Sequence, residues 1–326
     1  MFERLGFVER WRIPQSNLMR FVLTVRKSYR TPTYHNWQHA FSVGHFAFLC
    51  LVNASERLSG FLTGLEMLSL FVAALCHDID HRGFNNHYQC LSSSTLASLY
   101  GASGSILEQH HLSHTMRILS LDECNILTGL SDAEYRQVKQ LLRQIILATD
   151  LAHHLKVFPH IEQMSITGFY PDTADHPSLL LSLMVTSSDL SDQCKSWTNT
   201  RIAASLLYDE FFNQGHAERA LGHEPAASMD PRKAFIPVLQ VSFLDSVVIP
   251  CFRALSLILP ECEPAFDAVG RNRHVWAKFT QAVQSGQVDS FTTDRLLRGH
   301  YDDLVKTLAS TDEGICQCDC VPRDAD

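Results

Sequence analysis

No stretch of this 326-residue chain carries the unbroken run of roughly 18 apolar residues that a bilayer-crossing helix needs. Its start, Met1-Phe2-Glu3-Arg4, lacks the basic segment and apolar core of a secretory leader. Positive charge is in short supply too, with 27 Lys and Arg against 35 Asp and Glu and a net charge of -8. Such a surface repels a phosphate backbone, so nucleic acid is not an expected partner. Period-2 alternation and hairpin turn pairs are missing, which argues against a sheet-built fold. The ten cysteines are not spaced as a disulfide framework. Cys50, Cys76 and Cys251 sit singly in apolar helical patterns, as the reduced, buried thiols of a cytoplasmic protein do, a location compatible with peripheral attachment to a membrane.

What is present is helical periodicity in a composition that is 45% hydrophobic and 19% charged. Apolar residues recur at helical spacing from Leu18 to Lys27 and from Trp37 to Val52, with Pro32 as the break. Leu65 to Cys76 is almost entirely apolar, the mark of a helix buried on every side. Ser131-x-x-Glu134 is a capping-box signature ahead of the stripe Val138, Leu141, Leu142, Ile145 and Ile146, which ends at Thr149-Asp150. Further helices are expected at His154–Met164, Ser178–Leu190, Thr198–Gln214, Ile236–Leu259 (kinked at Pro250) and Pro264–Gln284. Gly168–Pro177 and Gly215–Pro231 are expected to be loops. The reading is an all-α, compact multi-helix domain over residues 1–284. Residues 285–326, with Cys316-x-Cys318-x-Cys320, are expected to form a disordered tail.

Histidine stands out. All but four of the 17 histidines (His216, His223, His274 and His300) precede residue 180. The stretch from Tyr34 to Gly83 opens with Tyr34-His35-Asn36-Trp37-Gln38-His39 and closes with His77-Asp78-Ile79-Asp80-His81-Arg82-Gly83. His35 and His39, like His77 and His81, have the four-residue spacing that puts two rings on one face of a helix. A single such histidine is an ordinary core or surface residue. Two pairs with Asp78 between them, behind a buried helix, point to a divalent metal. Asp189 ends another apolar helix, where a buried carboxylate needs a cation to meet it. Glu108, His110, His111 and Thr149-Asp150 are polar groups on otherwise apolar helices, fit to support such a site.

Tyr34-His35-Asn36-Trp37-x-His39-Ala40, His77-Asp78-x-Asp80-His81, Leu147-Ala148-Thr149-Asp150, Asp189-Leu190-Ser191 and Leu239-Gln240-x-Ser242-Phe243 together resemble, in order and spacing, the landmarks of the class I cyclic nucleotide phosphodiesterase catalytic domain, a fold of the His-Asp (HD) type with a dimetal pocket. The run Arg30–Ala40 and Asp189-Leu190-Ser191-Asp192-Gln193 are most similar to its cGMP-stimulated, dual-specificity branch. The resemblance covers about residues 5 to 280 and implies that helices ahead of the matching stretch are truncated here and that the protein forms a homodimer. It implies His39, His77, Asp78 and Asp189 as ligands of a tight zinc site, with Asp78 bridging to a second ion, magnesium or manganese. His81, Glu108 and Thr149 then hold that ion's waters, and His35 is the general acid. Tyr34, Asp192, Leu207, Tyr208, Gln240 and Phe243 line the substrate, Gln240 bonding the purine and Phe243 with Leu207 clamping it.

The implied reaction is hydrolysis of the 3′ phosphoester of cAMP, cGMP or both, by a water that two divalent ions acidify, with His35 protonating the leaving O3′. A glutamine amide that is free to turn suits either purine. Two other readings stand beside this one. Another HD-type metal phosphohydrolase would leave Gln240 and Phe243 without a role, and a catalytically silent regulatory module would not need the intact ligand set.

Overall fold

The computed structural model describes residues 1–101 and 104–285, so the tail with Cys316, Cys318 and Cys320 lies outside the described residues. The apolar stretch ahead of His77 folds into a helix, Gly64–Cys76, in which every residue from Leu68 to Cys76 is buried. Helices α1 (Phe7–Arg10), α2 (Gln15–Ser28), α3 (Trp37–Asn53) and α4 (Ser55–Phe61) precede it, and it is α5. Short helices α6 (Asn86–Leu91) and α7 (Thr95–Tyr100) lead to α8 (Ile106–Leu119), α9 (Asp132–Leu147), α10 (Leu151–Thr167), α11 (His176–Asp189) and α12 (Trp197–Ala220). The described chain closes with α13 (Ile236–Phe243), α14 (Ile249–Ile258) and α15 (Glu263–Gln284), and no strand occurs among the described residues.

α5 organises the packing because it is apolar all round and must be covered on all sides. α3, α8, α9 and α11 pack against it. Phe71, Leu68 and Leu70 are fully enclosed there, each burial stabilising the fold by about 1.5–3 kcal/mol. Both ends of the helix are held. Thr63 and Glu66 form a reciprocal capping box at its start, matching the one that Ser131 and Glu134 form on α9. At its end the Tyr29 hydroxyl donates to the Leu75 carbonyl at 3.0 Å and accepts from the Asp78 amide at 3.3 Å. One buried phenol thus satisfies two backbone groups that the helix terminus leaves open.

Four expectations change. His35 and His39 do not share a helix: the Asn36 side chain accepts from the Gln38 and His39 amides and starts α3 there. His77 and His81 do not share one either, since α5 stops at Cys76 and Asp80 turns left-handed at φ 66°. α12 runs through Gly215 to Ala220. That glycine is a close approach rather than a stop, because a Cβ there would collide with the Met229 carbonyl. Finally, the break before Pro250 is a π turn over Leu244–Val248, in which the Ile249 amide bonds to the Leu244 carbonyl. A proline without an N–H shifts the hydrogen-bond register upstream of itself.

Taken together, Ile236–Ile258 has the length and mean hydropathy, 1.7, of a membrane-crossing helix, which the sequence reading did not register. Its segments pack against α10, α11 and α15, and the π turn interrupts it.

Candidate metal centre

The ends of α3, α5 and α11 meet at one place. His39 comes from the first turn of α3, His77 and Asp78 from the turn after α5, and Asp189 from the last residue of α11. The Asp189 Oδ1 lies 3.0 Å from His39 Nε2 and 3.2 Å from His77 Nε2. Asp78 Oδ2 lies 3.5 Å and 3.2 Å from the same two nitrogens.

The donor set fits a cation. His77 Nδ1 donates to the Ala74 carbonyl at 3.0 Å, so the neutral ring points its Nε2 lone pair at two carboxylate oxygens. Three sets of lone pairs facing one another need a proton or a metal ion between them. Burial alone would push the His39 imidazolium down. The surrounding carboxylates of Asp189, which accepts from Nε2, and of Asp192 and Asp78 outweigh it and hold the ring up to about 9. His77 is raised for the same reason, while Asp78 and Asp189 are held well below the usual carboxylate range against the opposing effect of their burial. The carboxylates that raise both rings would equally favour a cation placed between them.

The two oxygens of Asp78 face different ways. Its Oδ1 lies 3.7 Å from His111 Nε2. His111 Nδ1 donates to the Ile79 carbonyl at 2.6 Å, so its Nε2 also offers a lone pair, and burial pushes the ring down to about 4. Glu108, one turn earlier on α8, accepts from the Asn86 amide at 2.9 Å. Burial, with the charges of Asp150 and Asp78, raises it to about 7. Thr149 donates its hydroxyl proton to the Ile146 carbonyl and keeps its lone pairs free. Asp78, with Glu108 and His111 from α8, makes a second side of the centre beside the nitrogen-rich one.

His35 stands on the opposite flank, its ring 5.6 Å from that of His39 and 4.2 Å from that of His81. Its Nδ1 contacts Glu210 Oε1 at 2.5 Å, and Glu210 also accepts from the Tyr34 and His35 amides at 3.0 and 3.2 Å. Glu210 is buried on α12. Sequence reasoning missed it, because a lone Glu in a long amphipathic helix carries no local signal. The Gly83 amide donates to His81 Nδ1, leaving the proton of the neutral ring on Nε2. Burial pushes His81 down to about 3, which keeps it neutral. These contacts use the atoms with which His35, His81 and Glu210 could otherwise hold an ion of their own.

Asp192, expected beside the purine, lies behind His39. It accepts from the Tyr34 hydroxyl and from Ser42, each at 3.2 Å, with its Oδ2 3.9 Å from His39 Nδ1. Leu207 and Tyr208 lie on α12, and Gln240 and Phe243 on α13, where three-residue spacing gives the last two one face. Leu207 and Phe243 are half-buried. Burial pushes the Tyr208 phenol up to about 12 despite a hydrogen bond from the Gln240 amide. Gln240 is buried, and its Oε1 has no partner among the described residues.

A sequence model of the family described as 3′5′-cyclic nucleotide phosphodiesterase matches residues 34–269. The dual 3′,5′-cyclic-AMP and -GMP phosphodiesterase 11A of Takifugu rubripes is 39% identical over 287 residues, 87% of this chain and 32% of that protein. The probable 3′,5′-cyclic phosphodiesterase pde-5 of Caenorhabditis elegans is 36% identical over 292 residues, 88% of this chain and 39% of that protein. The cGMP-specific 3′,5′-cyclic phosphodiesterase of Drosophila virilis is 36% identical over 319 residues, 95% of this chain and 35% of that protein. The chain spans between 32% and 39% of the length of these relatives.

Proposed function

The chain belongs to the 3′,5′-cyclic nucleotide phosphodiesterase family, and from that premise we propose that it hydrolyses the 3′ phosphoester of cyclic purine nucleotides to 5′-monophosphates. The observation that carries the proposal is the convergence of two imidazole nitrogens and two carboxylates within 3.5 Å, flanked by the His35–Glu210 pair.

His39, His77, Asp78 and Asp189 hold the tight ion, and their mixed nitrogen and oxygen donors suit zinc. The second side at Asp78, with Glu108, Thr149 and His81 supporting water, suits magnesium or manganese. When bound, such a pair supplies Lewis acidity and a hydroxide nucleophile near neutral pH. The chain's own residues do the rest. Glu210 fixes the tautomer of His35, so that Nε2 carries the proton-transfer duty toward the departing O3′. His81 offers its Nε2–H to a phosphate oxygen or to water.

Gln240 reads the purine edge, and Leu207 and Phe243 take its two faces. Tyr208 does not lock the amide, since a hydroxyl that keeps its proton can accept from the Gln240 nitrogen or donate to its oxygen. Either orientation is therefore supported, and we read the enzyme as acting on both cAMP and cGMP. Seven described cysteines, all free, fit a reducing, cytoplasmic setting.

The test is hydrolysis of both nucleotides by the purified chain supplied with zinc and magnesium. Turnover of both, lost in His35→Ala, is expected. No turnover with metal bound points to a silent module, and activity only on unrelated phosphoesters points to another phosphohydrolase. A preference beyond roughly a hundredfold, about 2.7 kcal/mol, refutes dual specificity.

A further inference from the structure

A second group of metal-ligating side chains lies outside that centre. Asp80, His110 and His114 bring one ligand atom each within 4.8 Å of one another. His110 and His114 are four residues apart on α8, their rings 4.4 Å apart, the spacing at which two imidazoles can grip one ion. His110 and His111 are neighbours on the helix, so His110 faces away from the direction in which His111 meets Asp78.

We propose that Asp80, His110 and His114 form a separate site for a zinc-class divalent cation. Two imidazoles, one carboxylate and a water complete the tetrahedron that such ions prefer. The carboxylate is already divided for this use. Arg30 Nε donates to Asp80 Oδ1 at 2.6 Å and fixes that oxygen, while Oδ2 turns to His110 Nε2 at 2.8 Å. Oδ2 has one competitor among the described residues, a 3.3 Å contact from Arg82, whose side chain is 40% exposed, and a long contact to a solvent-reaching arginine is weak.

The outer layer is in place as well. The Tyr100 hydroxyl lies 3.3 Å from His110 Nδ1. A hydroxyl can accept from Nδ1–H once Nε2 coordinates, as metal-bound histidines require of their surroundings. His114 is half-buried and makes no hydrogen bond among the described residues, which leaves a ligand open to solvent and an entry path. An ion here would tie α8 to the turn that follows α5.

The competing account is a metal-free ion-pair network centred on Asp80, in which bound zinc depends on neither His114 nor Arg82. The chain is stripped with a chelator, dialysed against zinc, and its bound zinc counted. Wild type is expected to hold one equivalent more than His114→Ala, with affinity for that equivalent down at least about tenfold. His110→Ala should behave alike, and Arg82→Ala should bind the extra zinc several-fold more tightly because Oδ2 is freed. Asp189→Ala, which cripples the central cluster, should keep the extra equivalent, so failure of this proposal is distinct from failure of the hydrolase reading. Thermal melts check folding, and His114→Gln replaces the alanine variant if that one does not fold. Equal zinc in wild type and the His114 variant, or weaker binding in Arg82→Ala, overturns the site.

Discussion

Replacing Glu210 with glutamine isolates what one buried charge does for His35. In the wild type Glu210 accepts from His35 Nδ1 at 2.5 Å and from the Tyr34 and His35 amides at 3.0 and 3.2 Å. Gln keeps the shape and one acceptor oxygen but removes the charge and turns an NH₂ toward donors. A hydrogen bond to a charged partner contributes about 1.5–3 kcal/mol, against about 0.5–1.5 for a neutral one. The difference, about 1–2 kcal/mol, corresponds to a loss of roughly 5- to 30-fold in kcat. The assay is steady-state hydrolysis of cAMP and cGMP, run beside a p-nitrophenyl phosphodiester. That ester's leaving group departs without a proton, so a defect in acid catalysis should shrink on it. An unchanged kcat in Glu210→Gln, or an equal loss on the activated and natural substrates, refutes the claim that Glu210 acts through His35.

Removal of metal by a chelator should abolish turnover, with recovery on adding zinc and then magnesium; Asp189→Asn should raise the zinc needed for half-recovery by tenfold or more, about 1.4 kcal/mol. Gln240→Ala should lower kcat/KM for both nucleotides, whereas Tyr208→Phe, which takes away a partner that serves either orientation, should leave the cAMP to cGMP ratio nearly unchanged; a strong shift toward one nucleotide counts against the turning amide. Asp230 is enclosed against Arg219 and Arg232, and although its burial acts to raise it, the bonds and charges of those arginines depress it to about 2. A depressed carboxyl stabilises the fold above its unfolded value and stops doing so as pH falls through the folded one, so stability should drop between about pH 4 and pH 2. In melts across that range, Asp230→Asn should flatten this limb.

The parts of the fold that were legible in the sequence are those governed by short-range physics. α5 announced itself by an apolar run with no polar face, and α9 by Ser131 and Glu134 around an apolar stripe. His39, His77, Asp78 and Asp189 stood out as candidate ligands because imidazole and carboxylate have little reason to end buried helices otherwise, and the structure brings these four side chains together. What misled was spacing read as helix. His35 and His39 are four apart, yet Asn36 takes the capping position and leaves His35 to be oriented by Glu210, a residue 175 positions away. Gly215 looked like a terminator because the Met229 carbonyl it accommodates is visible only in three dimensions. Glu210, and the position of Asp192 behind His39, depend on how α12 and the turn after α11 pack.

The phenol of Tyr29 has a practical bearing on where this domain can be cut. The family match begins at residue 34, and a clone started there would omit both Tyr29, which binds Leu75 and Asp78, and Arg30, which grips Asp80. Such a shortened chain would keep every proposed ligand side chain but lose two of the clamps on the loop that presents His77 and Asp78. Weak metal retention in it would then be a defect of the boundary rather than of the catalytic residues.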